Sequence, residues 1–236
     1  MKILWFLPNL LTFLNLFFGC VGTVYGLNGD IKTLSIFILL GAICDFFDGF
    51  FARLLNVESS IGIQLDSFSD LVTFGISPAV VIFDLLEKSN YVTNNITSVS
   101  AFIPFFAFLI VISSSYRLAK FNLQHSNNFF HGLPTPANAI FIVFLPYLFE
   151  HNILEGLSGI IDSTIFLITL TIVSSILLVS NFEMPKFNGF QSMKVFNLKR
   201  ETCIFISILL ILYMKLAALP LIIIIYLTLG LLRVKF

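Results

Sequence analysis

The chain has 236 residues, 58% hydrophobic and only 11% charged, with a mean hydropathy of +0.99. A soluble domain carries roughly 25% charged residues, and no water-soluble fold hides this much apolar surface, so a cytosolic globular enzyme, a disordered chain, collagen and a coiled coil are excluded. Thirteen Lys and Arg balance thirteen Asp and Glu, and nothing in that balance points to nucleic acid. Cys20, Cys44 and Cys203 sit singly in apolar runs and read as small buried hydrophobes, not as a disulfide framework or a zinc site. The composition is that of an all-α integral membrane protein.

A membrane-spanning helix needs about 20 mostly apolar residues. In chain order such runs fall at about 8–27, 33–52, 63–86, 99–118, 134–149, 160–180, 202–217 and 218–233, a polytopic bundle of about eight spans. The first run follows Lys2, is broken early by Pro8-Asn9 and has no small-x-small cleavage site, so it reads as an uncleaved span. The last two are separated only by Ala217-Ala218-Leu219-Pro220 and read as a hairpin. The expected organisation is one membrane domain over 1–236, with a core at 6–180, a cytoplasmic loop at 181–201 and the C-terminal hairpin at 202–233.

Orientation follows from the basic residues of the loops. With the N-terminus inside, the cytoplasmic side collects Lys2, Arg53, Arg117, Lys120, Lys186, Lys194, Lys199, Arg200, Arg233 and Lys235, and the outer side only Lys32, Lys88 and Lys215. Both termini are therefore expected in the cytoplasm, with the protein in the cell (inner) membrane. His125, His131 and His151 read as solvated loop histidines, the sequon Asn95-Ile96-Thr97 as chance, and Lys194, Lys199 and Arg200 as contacts to anionic headgroups.

Charge inside a span costs several kcal/mol and marks function by default. Asp45 and Asp48 fall near the cytoplasmic end of the second run, and Asp66 and Asp70 near the start of the third. Positions 45, 48, 49 and 52 share one helical stripe, as do 62, 66 and 70, and the short connection at 54–60 makes the two helices antiparallel neighbours. Four carboxylates brought together repel one another unless a cation compensates them. All-oxygen ligands suit Mg²⁺ or Mn²⁺, and four are enough to bridge two ions, a device for in-line attack at phosphorus. Gly49, Ala52 and Gly62 leave room on the same stripes, and Arg53 supplies a cation suited to phosphate. The residues alone read as a metal-dependent phosphoryl-transfer site open to the cytoplasm. A cation-coupled transporter is the alternative reading of intramembrane Asp residues.

Residues 45–70, DFFDGFFARLLNVESSIGIQLDSFSD, match the pattern D-x2-D-G-x2-A-R-x8-G-x3-D-x3-D at all eight fixed positions. Chance agreement is on the order of 10⁻¹⁰ per start point. The chain thereby resembles the CDP-alcohol phosphatidyltransferase family. Pro8-Asn9-Leu10-Leu11-Thr12 is similar to the family's first-helix segment. The stretch from Asp66 to Ala79, together with Tyr116 to Asn122 and Gly132 to Ala137, resembles the bacterial phosphatidylserine synthase branch.

The resemblance implies a six-helix core, a homodimer, and CDP-diacylglycerol and L-serine as substrates within membrane lipid. It implies one divalent ion on Asp45, Asp48 and Asp66 and a second on Asp45, Asp66 and Asp70, with Asp70 also the general base. Gly49, Arg53 and Ser59 match positions that contact CDP-diacylglycerol, with Ala52, Gly62, Asn9 and Thr12 around them. Arg117, Lys120 and Asn122 fall in the branch-specific stretch and are candidates for the serine site. The same chemistry on glycerol 3-phosphate or inositol is the sister reading.

Overall fold

The computed structural model describes residues 6–95, 97–123, 132–150, 158–181 and 198–231, and among these residues every regular element is helical. Helix α1 (Leu7–Leu27) carries Pro8 in its first turn, where the missing N–H has no partner to lose. Gly29, at φ +78°, turns the chain into α2 (Ile31–Leu55). Asp30 caps that helix by accepting from the Thr33 N–H at 3.0 Å. The left-handed Asn56 (φ +51°) ends it, with the N–H groups of Asn56 and Val57 turned back onto Arg53 and Ala52 carbonyls. Ser59 then caps α3 (Ser60–Asp70). Only residues 56–59 join α2 to α3, so the two aspartate-bearing helices are held as antiparallel neighbours.

Helix α3 does not stop at Asp70. It passes through a π-helical turn, Leu71–Ile76, into α4 (Ser77–Glu87), giving one apolar stretch Ser60–Glu87 of 28 residues. The turn is where this span enters the α1–α2 hairpin. A Cβ on Gly41 would lie 2.7 Å from Thr73 Cγ2, and one on Gly19 would lie 2.9 Å from Thr73 Cα. The missing side chains of these two glycines are therefore what admit Thr73. The buried face of α1 is Pro8, Thr12, Asn15, Gly19, Gly22 and Gly26, steps of four and three along one seam of small and polar residues.

Beyond the short α5 (Asn90–Asn94), a 3₁₀ stretch, Ser100–Phe108, contains Pro104, which cannot donate to an α-helical ladder. It leads into α6 (Leu109–Leu123). Helices α7 (Thr135–Glu150), α8 (Ser158–Ile161) and α9 (Thr164–Val179) follow, then α10 (Leu198–Met214), a 3₁₀ turn at Lys215–Ala217 and α11 (Ala218–Leu231). One apolar core runs through the bundle, with Leu34, Ile38, Phe74, Ile82, Phe144 and Leu167 all fully buried. A smaller cluster around Leu145, Leu148, Met214 and Ala218 attaches the C-terminal helices to α7.

Among the described residues each of the eight expected runs holds a helix, but their lengths differ. Among the described residues, five stretches are long and apolar enough to cross a membrane: Leu7–Leu27, Ile31–Leu55, Ser60–Glu87, Ser100–Leu123 and Glu201–Thr228. Thr135–Phe149 and Thr164–Val179 are apolar but shorter. The expected boundary between runs seven and eight falls inside Glu201–Thr228, where Lys215 at φ +52° interrupts the helix. Residues 182–197 of the expected loop lie outside the described residues, and α10 begins at Leu198, within that loop, with Glu201 in its first turn. Lys2, His125, His131, His151, Lys186, Lys194, Arg233 and Lys235 likewise lie outside them.

Candidate active site

The last turns of α2 and the body of α3 bring the aspartates together. Asp45, Asp48 and Asp66 each present a carboxylate oxygen, and these oxygens all lie within 4.8 Å of one another. The Asp45 carboxyl also engages that of Asp70, one turn further along α3. Asp48 and Asp70 are buried, Asp45 and Asp66 half-buried. Negative charge of this density requires a compensating cation. One atom bears directly on that requirement: Asp66 Oδ1 is buried with no hydrogen-bond donor to it. An acceptor orphaned among other carboxylate oxygens is a liability in a protein interior and a ligand for a hard divalent ion. The donor set fits such an ion.

Two side chains of α1 hold the cluster from the other side. Thr12 Oγ1 donates to Asp48 Oδ2 at 2.7 Å, and Asn15 Nδ2 donates to Asp70 Oδ1 at 3.4 Å. The pairings follow from the α1 seam, whose polar members face α2 and α3. Ser69 Oγ donates to the Thr12 carbonyl and Thr73 Oγ1 to the Asn15 carbonyl, both at 3.0 Å, so α1 and the third span are fixed in register beside the acids.

Beside the cluster lies a cleft of about 310 Å³. Asn9, Thr12, Gly49, Ala52, Arg53, Ser59 and Gly62 all line it, together with Asp48 and Asp66. The two glycines have different neighbours. A Cβ on Gly49 would face the Arg53 guanidinium at 3.8 Å, whereas one on Gly62 would press on Ser59 Oγ at 3.0 Å and Asn9 Oδ1 at 3.3 Å. Ser59 is the N-cap of α3, its Oγ accepting from the Gly62 N–H at 3.0 Å. The cleft is thus bounded by a fixed cation and by the N-terminus of α3, both favourable to phosphate.

The three candidates for the serine site are placed at the end of α6, and their partners differ. Arg117 Nη1 donates to the Leu178 carbonyl at 3.4 Å and Lys120 Nζ to Asn181 Oδ1 at 2.7 Å, so both cations meet the C-terminal end of α9. Gly132, at φ +75°, closes the same corner, where a Cβ would lie 3.0 Å from both Arg117 Nη1 and the Leu178 carbonyl. Asn122 turns the other way and donates to Ser67 Oγ at 2.9 Å, next to Asp66. Between them Phe121 lines the cleft.

Sequence reasoning passed over Asn15, Ser69 and Thr73. Asn15 was findable, because positions 8, 12, 15, 19, 22 and 26 form a stripe of small and polar residues in an otherwise apolar span. Thr73 was not, because its placement depends on the π turn.

Residues 5–177 match the model of a family described as CDP-alcohol phosphatidyltransferase. Among curated relatives, the chain is 28% identical over 234 residues to a CDP-diacylglycerol–serine O-phosphatidyltransferase of Helicobacter pylori, covering 98% of this chain and 91% of that one. It is 31% identical over 169 residues to the Bacillus subtilis protein of the same name, covering 68% of this chain and 88% of the other. An archaetidylserine synthase of Methanothermobacter thermautotrophicus is 27% identical over 187 residues, covering 78% and 71%.

Proposed function

The chain belongs to the CDP-alcohol phosphatidyltransferase family, and we propose that it moves the phosphatidyl group of CDP-diacylglycerol to the hydroxyl of L-serine, yielding phosphatidylserine and CMP. The observation that carries the phosphoryl-transfer part is the convergence of Asp45, Asp48 and Asp66, with the orphaned Asp66 Oδ1, beside a cleft that Asp48 and Asp66 line and that Arg53 and the α3 N-terminus border. Serine as acceptor is supported by the names of the relatives.

In this reading Asp45, Asp48 and Asp66 would hold one divalent ion and Asp45, Asp66 and Asp70 a second, Mg²⁺ or Mn²⁺. Bound there, the ions supply charge neutralisation for the diphosphate and for the departing CMP. Arg53 and the Gly62 end of α3 hold the diphosphate, Gly49, Ala52 and Gly62 let it approach the backbone, and Asn9, Thr12 and Ser59 border the nucleotide. The serine hydroxyl attacks the phosphorus that bears diacylglycerol, the bond from that phosphorus to the CMP oxygen breaks, and the hydroxyl proton passes to Asp70. A hydroxyl is a weak nucleophile at neutral pH, so a placed base is required. Arg117 and Lys120 take the serine carboxylate and Asn122 adds hydrogen bonds; the bond from Asn122 to Ser67, next to Asp66, supports this for Asn122, and the two cations would turn to serine from the end of α9. The ten-to-three distribution of basic residues supports a cytoplasmic opening in the cell membrane, and the assembly we propose is a homodimer.

The deciding experiment measures CMP release from CDP-diacylglycerol by protein purified in detergent, with Mn²⁺ or Mg²⁺, beside Asp70→Asn. Serine- and metal-dependent release that falls about 10²–10⁴-fold in the variant is the expected outcome. Release with glycerol 3-phosphate or inositol in place of serine overturns the acceptor. No release with any alcohol, from folded protein that binds metal, overturns the reaction.

A further inference from the structure

Asn15 is the one fully buried amide of α1, with no exposed surface, in the middle of a helix that otherwise offers lipid and protein an apolar or small-residue face. Burying an amide without full compensation costs free energy, and the compensation here is incomplete. Its Nδ2 reaches Asp70 Oδ1, whereas its Oδ1 is buried without a hydrogen-bond donor. Leucine would fill the site without that cost. What distinguishes Asn15 from leucine is one N–H group aimed at one carboxylate oxygen.

The surroundings are arranged to keep that N–H where it is. Thr73 Oγ1 donates to the Asn15 carbonyl at 3.0 Å, fixing the α1 backbone at this residue against the third span. Gly41 of α2 supplies the space for the other end of the amide: a Cβ there would stand 2.9 Å from Asn15 Oδ1. Three helices therefore contribute to the orientation of a single side chain, and its one hydrogen bond goes to Asp70.

We propose that Asn15 is a positioning residue for the proton-accepting carboxylate of Asp70. By donating to Oδ1 at 3.4 Å, the amide holds the carboxylate's rotamer so that its second oxygen faces the serine hydroxyl, while the remaining lone pairs stay available to the ion it would share with Asp45 and Asp66. The choice of amide over acid has a chemical reason. An amide N–H only donates to a carboxylate, whereas aspartate at position 15 would bring a fifth negative charge to the cluster. The inference rests on the proposed role of Asp70, and it predicts a loss in turnover with ground-state binding intact.

The test compares wild type with Asn15→Leu, which keeps the number of side-chain heavy atoms and removes the donor. It reads serine-dependent CMP release, the Kd for CDP-diacylglycerol measured without serine, and the thermal midpoint. The expected result is a kcat about 10- to 100-fold lower, the effect of removing one hydrogen bond to a charged group. The Kd and both KM values should stay within about threefold of wild type on the same estimate. A merely structural role predicts the reverse. Displacing α1 would move Asn9 and Thr12 in the cleft and weaken CDP-diacylglycerol binding, and the surviving folded molecules would keep their kcat. Either that pattern or an unchanged kcat overturns the proposal. Should Asn15→Leu fail to fold, Asn15→Ser, too short to reach Asp70 and less intrusive in a polar seam, decides the same question by the same readings. A wild type that releases no CMP with serine overturns the reaction itself, whereas an active wild type with an equally active Asn15→Leu overturns only the role of Asn15.

Discussion

The α1–α3 end of the molecule and the α10–α11 end are both built from apolar helices, yet Thr12, Asn15, Ser69 and Thr73 in the one and Ser207 and Thr228 in the other are spent differently. In the first region Thr12, Asn15, Ser69 and Thr73 bond from one helix to another, and all four are buried. In the second, Ser207 Oγ donates to the Cys203 carbonyl and Thr228 Oγ1 to the Ile225 carbonyl, each within its own helix. A hydroxyl satisfied by its own helix says nothing about a neighbour, whereas one bonded across a seam fixes where that neighbour lies. The difference teaches that polarity in a membrane span is informative by its partner, not by its presence.

The comparison is sharpened most by adding a single methyl group. Gly41→Ala places carbon 2.7 Å from Thr73 Cγ2 and 2.9 Å from Asn15 Oδ1. It should destabilise the fold by about 1–3 kcal/mol and cut CMP release with it, while Gly159→Ala, with nothing within 4 Å, should leave both thermal midpoint and activity unchanged. Equal effects from the two would contradict the close approach of three helices at Gly41. Next in size is Thr12→Val, which removes the donor to Asp48 at 2.7 Å and keeps the shape. A metal titration of CMP release should show the half-activating Mn²⁺ concentration rising by about tenfold, since outer-shell partners of metal ligands typically carry 10–100-fold. Ser207→Ala should give the wild-type curve.

The smallest effect lies at the α1–α2 turn. Hydrogen bonds from Thr33 to the Asp30 carboxylate hold its pKa below the usual 3.8. Asp30 therefore adds stability above that value and loses it as pH falls through the lowered one. Thermal midpoints of wild type and Asp30→Ala should differ slightly at neutral pH and converge in strong acid. A gap that widens on acidification would contradict the cap.

The gathering of the aspartates was more legible in the sequence than the lengths of the helices around it. Asp45, Asp48, Asp66 and Asp70 stood out because charge is rare in a span, and their three- and four-residue spacing put them on stripes that face each other. The α2–α3 connection followed from its shortness. The C-terminal helices were harder, because an apolar run such as Leu219–Ile225 has no period to read, and the interruption falls on Lys215, where φ is positive without glycine. Arg117 shows a further limit. Its charge marked it as notable, but its bond to Leu178, 61 residues away, depends on how α6 and α9 pack, which local spacing does not encode.

The π turn at Leu71–Ile76 has a consequence for how this span can vary. A π turn accommodates one residue more than an α turn, and one residue is about 100° of helical phase. The segment therefore takes up one extra residue within a single turn, so that Asp66 and Asp70 on one side and the buried wall of Ala79, Val80, Val81 and Ile82 on the other keep their faces. Deleting a single residue from 71–76 would let the helix become regular with both faces kept, whereas holding all six at uniform α pitch would turn one half against the other by roughly a quarter of a revolution. Either the acids would leave the cleft or the wall would leave the core. The extra residue and the π turn thus belong together: the angle between chemistry and anchorage survives only while the number of residues in the segment matches its pitch.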